Sequence, residues 1–142
     1  MQEYISRNID KELIAWKDDS MRKPLLLRGA RQVGKSSAVR HFGREFKYFA
    51  EVNFERHKAI KTFFQGDIDV HMIAQKISNY IKVPMVAGET LLFFDEIQEC
   101  PEAIMALRFF KEDYPELHVI AAGSLLEFTL EELPTFGVGR IH

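Results

Sequence analysis

Apolar residues at Ile5, Ile9, Leu13 and Trp16 recur at helical spacing among charged neighbours, which predicts an amphipathic N-terminal helix over about residues 1–20. The polar stretch from Lys17 to Lys23 ends it, and Pro24 opens a new element. Leu25, Leu26 and Leu27 form a short continuous apolar run ending at Arg28-Gly29. Such a run suits a strand buried on both faces. Val39, Phe42 and Phe46 then mark a helix that begins near Lys35 and packs one face on the sheet. Tyr48 to Phe54 reads as a second strand. From Asp67, taken as an N-cap, Val70, Ile73, Ile77 and Tyr80 mark another helix up to Pro84. The run Leu91-Leu92-Phe93-Phe94 is wholly apolar and stops abruptly at Asp95-Glu96. Pro101 fits the first position of a helix bearing Ala103, Leu107 and Phe110 on one face, and His118 to Ala122 is a further short strand before Gly123-Ser124.

Strands and helices alternate from end to end, because parallel strands need crossover connections and helices supply them. The predicted fold is therefore α/β, a mainly parallel sheet with helices on both faces, in one domain spanning residues 1–142. Composition changes little in this picture. The 142 residues are 46% hydrophobic, and 19 basic against 21 acidic residues leave a net charge of -2, so overall charge does not argue for nucleic acid or an anionic membrane. One cysteine, Cys100, excludes an internal disulfide, and the five histidines are too scattered for zinc-ligand spacing. Cys100, Trp16 and the Phe63-Phe64 pair read as core residues without chemistry. With no apolar run near the roughly 20 residues of a membrane span and no signal-like N-terminus, the expected setting is cytoplasmic.

Gly29-Ala30-Arg31-Gln32-Val33-Gly34-Lys35-Ser36 matches G-x-x-x-x-G-K-[ST] between a predicted strand and a predicted helix. Glycines let the backbone curl until successive N–H groups face phosphate oxygens, and the helix N-terminus adds its positive dipole end. Lys35 supplies charge to the β- and γ-phosphates, Ser36 is placed to ligate Mg2+, and Ser37 to reach the α-phosphate. The expected ligand is ATP with Mg2+. Asp95 ends an apolar strand, where ligands bind in such sheets, and would hold a magnesium-bound water. Glu96 would orient or deprotonate the attacking water. As an alternative, Asp95 is a helix cap and Glu96 a solvated neighbour. Ser124, at the end of the next strand, is a candidate contact to the γ-phosphate or the lytic water. Arg28, Arg31 and Arg140 are candidate charge stabilisers.

The segments Leu25 to Ser36, Phe93-Phe94-Asp95-Glu96-Ile97-Gln98, Ala122 to Leu126 and Pro134 to Ile141 together resemble the prokaryotic AAA-type P-loop ATPases whose loop reads GaRQvGKs and whose magnesium strand ends DEIQ. The resemblance implies the P-loop NTPase fold of the additional-strand, catalytic-glutamate type. It implies Gly29 to Ser36 as Walker A, Asp95 and Glu96 as Walker B, Ser124 as sensor 1, and Arg140 as part of a Gly-Arg signature. Members of that family are longer, so a last strand, a lid and a C-terminal domain are expected beyond His142, and a bare sheet edge would invite self-association. The expected activity is hydrolysis of ATP to ADP and phosphate. The alternative is a slow-turnover nucleotide-dependent switch or binding module acting through that C-terminal domain, with an unidentified macromolecular client and a DNA-related role open.

Overall fold

The computed structural model describes residues 2–28, 33–123 and 137–138, with side chains described for 10–27 and 36–123. Helix α1 (Gln2–Asp18) precedes strand β1 (Leu25–Arg28), and helix α2 (Val33–Phe42) leads to strand β2 (Tyr48–Asn53). Helix α3 (Val70–Ile81), strand β3 (Thr90–Asp95), helix α4 (Pro101–Asp113) and strand β4 (His118–Gly123) follow, and a two-residue strand β5 (Gly137–Val138) comes last. The sheet order is β2-β3-β4-β1-β5, and every neighbouring pair is parallel. Strand β4 thus lies between β1 and β3, which is the additional strand implied by the resemblance.

Alternation along the strands builds a core on each face of the sheet. Leu25, Leu27, Leu91, Phe93, Ile120 and Ala122 pack with Leu13, Val39 and Phe42 of α1 and α2. Leu26, Val52, Leu92, Phe94, Val119 and Ala121 pack with Ile73, Ile77, Leu107 and Phe110 of α3 and α4. Helices on both faces explain why all six residues of β3 are buried: no face of that strand is left for water. On the α3 face, Phe94 packs tilted against Phe54 and edge-to-face with Phe64 at centroid separations of 5.6 and 5.8 Å, contacts of about 0.5–1.5 kcal/mol per pair beyond area burial. Cys100 is buried, Phe64 is buried with Phe63 packed beside it, and Trp16 packs on the α1 face, so these residues belong to the core.

Three details differ from the sequence pattern. The cap of α3 is Asp69, whose carboxylate accepts the Met72 N–H at 3.2 Å; Asp67 lies two residues early. Phe46 stays buried although α2 ends at Phe42, because the short 3-10 turn Gly43–Glu45 carries the ring back against Phe42 at 5.4 Å. Strand β5 pairs Gly137 with Leu25 and Val138 with Leu26, so β1 has a partner on its outer side at these positions. The sequence pattern predicts no strand there, since two residues containing a glycine have no readable periodicity.

Candidate functional site

The carboxyl ends of β1, β3 and β4 lie side by side, the position where ligands bind in open parallel sheets. Val33, Gly34 and Lys35 form the first turn of α2, earlier than the helix start near Lys35 that the sequence suggests. Gly29, Ala30, Arg31, Gln32, Ser124 and Arg140 lie outside the described residues, and described side chains resume at Ser36. Ser36 and Ser37 are half-buried on α2.

Asp95 is the centre of the described site. Its side chain is buried, the last residue of β3, and its two oxygens have different partners. Oδ2 accepts the Ser36 hydroxyl at 3.1 Å, and Oδ1 accepts the Glu96 N–H at 2.9 Å. Burial holds the carboxyl above its ordinary pKa, the Ser36 hydrogen bond opposes that, and the charge on Glu96 adds to it. The helix-cap reading of Asp95 fails on geometry: the residue flanking the next 3-10 turn (Ile97–Glu99) is Glu96, and Asp95 points instead across to α2.

A cation borders the pair. Arg40, one turn further along α2, donates from Nε and Nη2 to the Glu51 carboxylate at 2.9–3.2 Å, and its Nη2 stands 3.7 Å from Asp95 Oδ2. Arg40, Glu51, Asn53, Arg56 and His57 line a cavity of about 380 Å³ on the β2 side of this pair. Periodicity could not have found Arg40, because an exposed arginine on a helix reads as a solvated face.

Glu96 follows with a half-buried side chain and a backbone in the left-handed region, φ 56 and ψ 46. A residue with a Cβ pays about 1–2 kcal/mol to sit there, and such strain collects at functional sites. Its Oε1 accepts the Gln98 amide at 2.7 Å. Gln98 and Gly123 had no role in the residue-level reading; the signal available was the DEIQ run itself.

The structure thus brings Ser36, Asp95 and Glu96 together from segments about 60 residues apart in the chain. Among the described residues, no helix is long and apolar enough to cross a membrane.

Comparison with known proteins agrees with this fold. A family model described as an AAA domain matches residues 21–142, leaving only α1 outside it. Among solved structures, one titled "Structure of Drosophila ORC bound to DNA" aligns with a TM-score of 0.56 at 12% identity, covering 98% of this chain and 91% of that one. The structure of C. elegans PCH-2 aligns with a TM-score of 0.48 at 15% identity, covering 96% of this chain and 40% of that one. Curated protein sequences gave no match. At 12% identity the likeness to the ORC structure speaks to the fold alone, whereas the family match spans most of the sequence. The chain belongs to the AAA domain family, and its fold and nucleotide-binding, ATPase-type character are those of AAA-type P-loop ATPases.

Proposed function

We propose that this chain binds ATP with Mg2+ at the loop between β1 and α2 and hydrolyses it to ADP and phosphate. The observation that carries the reading is the 3.1 Å hydrogen bond from Ser36 Oγ to Asp95 Oδ2. It joins the first hydroxyl after the glycine-rich loop to a buried carboxylate at a strand end. Both are hard oxygen donors, and Mg2+ takes one or two such protein ligands beside phosphates and water. The buried Asp95 carboxylate, held above its ordinary pKa by desolvation, gains most from a nearby cation. Ser36 and Asp95 would hold the ion, directly or through water, and when bound it neutralises phosphate charge.

The remaining roles fall to the chain's own groups. Backbone N–H groups from Gly29 to Gly34 and the Lys35 ammonium bind the phosphates, aided by the N-terminal end of α2. Ser37 contacts the α-phosphate. The Glu96 carboxylate orients the attacking water and accepts its proton as the water oxygen reaches the γ-phosphorus. Ser124 senses the γ-phosphate, and Arg140 is a charge stabiliser. The macromolecule served by this turnover is unassigned.

Titration of a fluorescent ATP analogue tests the reading. Lys35→Ala is expected to remove measurable binding with an unchanged circular dichroism spectrum, because the lysine meets phosphate charge. Asp95→Asn is expected to weaken the magnesium dependence of binding. Unchanged affinity in Lys35→Ala would overturn the assignment of the loop.

A further inference from the structure

We infer that Gln98 is a positioning residue for Glu96, holding its carboxylate on the β4 side of the β3 end, towards β1 and its loop. The inference rests on the reading of Glu96 as the group that orients water. Glu96 leaves β3 in a left-handed backbone conformation, pinned by its N–H on Asp95 Oδ1 at 2.9 Å and by the Glu99 N–H on its carbonyl at 3.1 Å. That geometry fixes where the side chain starts, and side-chain contacts set where its carboxylate goes. Gln98, two residues on in the 3-10 turn, donates from Nε2 to Glu96 Oε1 at 2.7 Å, short enough for a charge-assisted hydrogen bond.

The other end of the same amide fixes the direction. Gln98 Oε1 lies against Gly123, the last residue of β4, where an added Cβ would collide with it and come within 3.2 Å of Ile97 Cγ2 and 3.3 Å of the Ile97 nitrogen. Only a residue without a side chain lets the amide lie there. Since β4 sits between β3 and β1, and Gly123 is in register with Arg28 at the start of the loop, the amide spans from Glu96 towards the phosphate-binding strand. On the opposite side, at the end of β2, the Asn53 side-chain oxygen accepts the N–H groups of Glu55 and Arg56 and so faces its own turn. Gln98 therefore holds the carboxylate towards the side where the γ-phosphate would lie, the pre-organisation that proton-accepting groups need.

The test measures kcat and KM for ATP in the full chain with Gln98→Leu, which removes the donor at similar bulk, and with Gln98→Asn, which stays polar but is one methylene short. Both are expected to lower kcat on the order of tenfold and to move KM by less than about threefold, since ground-state phosphate binding is untouched. Single-turnover hydrolysis of Glu96→Gln with and without Gln98→Leu adds a readout that a structural role would not move. The double variant is expected to be no slower than Glu96→Gln alone. A kcat that is unchanged or raised in both Gln98 variants, or a further loss in the double variant, overturns the inference. If Glu96→Gln itself turns over at the wild-type rate, the reading of Glu96 falls and takes this inference with it. A slow Glu96→Gln beside fast Gln98 variants removes the inference alone.

Discussion

The two ends of the sheet follow opposite rules. At the amino ends of the strands, His118 is buried and neutral: its Nε2–H donates to the Lys17 carbonyl at 3.1 Å and its Nδ1 accepts from Arg22 Nη2 at 3.2 Å. Arg22 Nη2 also donates to the carbonyls of Glu116 and Pro115, and Trp16 and Phe46 pack edge-on against the imidazole at 5.4 and 5.1 Å. The cluster ties the exit from α1 to the start of β4 and leaves one buried donor, Arg22 Nε, without a partner. At the carboxyl ends the sheet carries a desolvated carboxylate at Asp95 and a left-handed backbone at Glu96. One end pairs its histidine and most of its polar groups and contributes stability; the other holds charge and strain that a folded chain alone would be better without. The first end should fail by unfolding and the second by losing chemistry.

Glu96→Gln should produce the largest effect and touch only the carboxyl end. The amide keeps the shape and loses the basic oxygen, so hydrolysis is expected to fall by about 10²–10⁴-fold while ATP binding and Tm stay near wild type. A coupled loss of Tm would show that Glu96 is a structural residue after all.

Acid should strike the other end. Burial first, then the nearby charges of Arg22 and Lys17, push the His118 pKa down to about 4 from an ordinary 6.5, against the favourable carbonyl of Lys17. A depressed histidine pKa means the unfolded chain binds more protons between those values. The stability that His118 contributes is therefore fully present above pH 6.5 and is lost as the pH drops towards 4, by up to about 3 kcal/mol. Urea unfolding across that range checks it, and His118→Gln should flatten the slope. Next in size, Arg22→Met should cost about 1–3 kcal/mol by leaving the carbonyls of Pro115 and Glu116 and the imidazole without their donor. Nucleotide affinity of the folded fraction should not change.

The smallest effect has the opposite sign. Asp95→Asn removes a carboxylate whose ionised form burial disfavours, so nucleotide-free protein is expected to melt higher, by on the order of 2 °C, although magnesium-dependent binding weakens. Differential scanning calorimetry without and with Mg-ATP measures both signs in one variant. A lower Tm in the nucleotide-free state would erase the distinction between the two ends.

The sequence exposed those parts whose physics is local. Strands β1 and β3 were readable as wholly apolar runs because helices cover both faces, and the helices from their 3.6-residue periods. The phosphate loop was readable because its spacing is forced by backbone chemistry. What escaped depends on contacts between distant segments or on backbone angles. The Gln98 amide against Gly123 needs β3 and β4 as neighbours, and nothing in Asp95-Glu96-Ile97 announces a left-handed glutamate. The Arg40 position beside Asp95 depends on the packing of α2 over the sheet, and the short β5 has too few residues for any pattern. The site residues most distinctive in sequence, Gly29 to Gln32, are outside the described residues, so their proposed part in the site rests on the motif.

Parallel pairing has a consequence for how the chain reaches this state. Leu25 is in register with Ile120, so the central pairing of the sheet closes a loop containing most of the chain, and the Ser36 to Asp95 contact cannot form before β1, β3 and β4 have met. Non-local closure of this kind is slow, because chain entropy is lost before the contacts that reward it appear. A ligand that requires those three strands to be aligned recognises the finished fold and nothing earlier. Under the proposed chemistry, nucleotide at 100 times its dissociation constant would hold the folded form by about 2.7 kcal/mol. The same ligand would thereby act as a late checkpoint, drawing molecules out of incompletely paired intermediates.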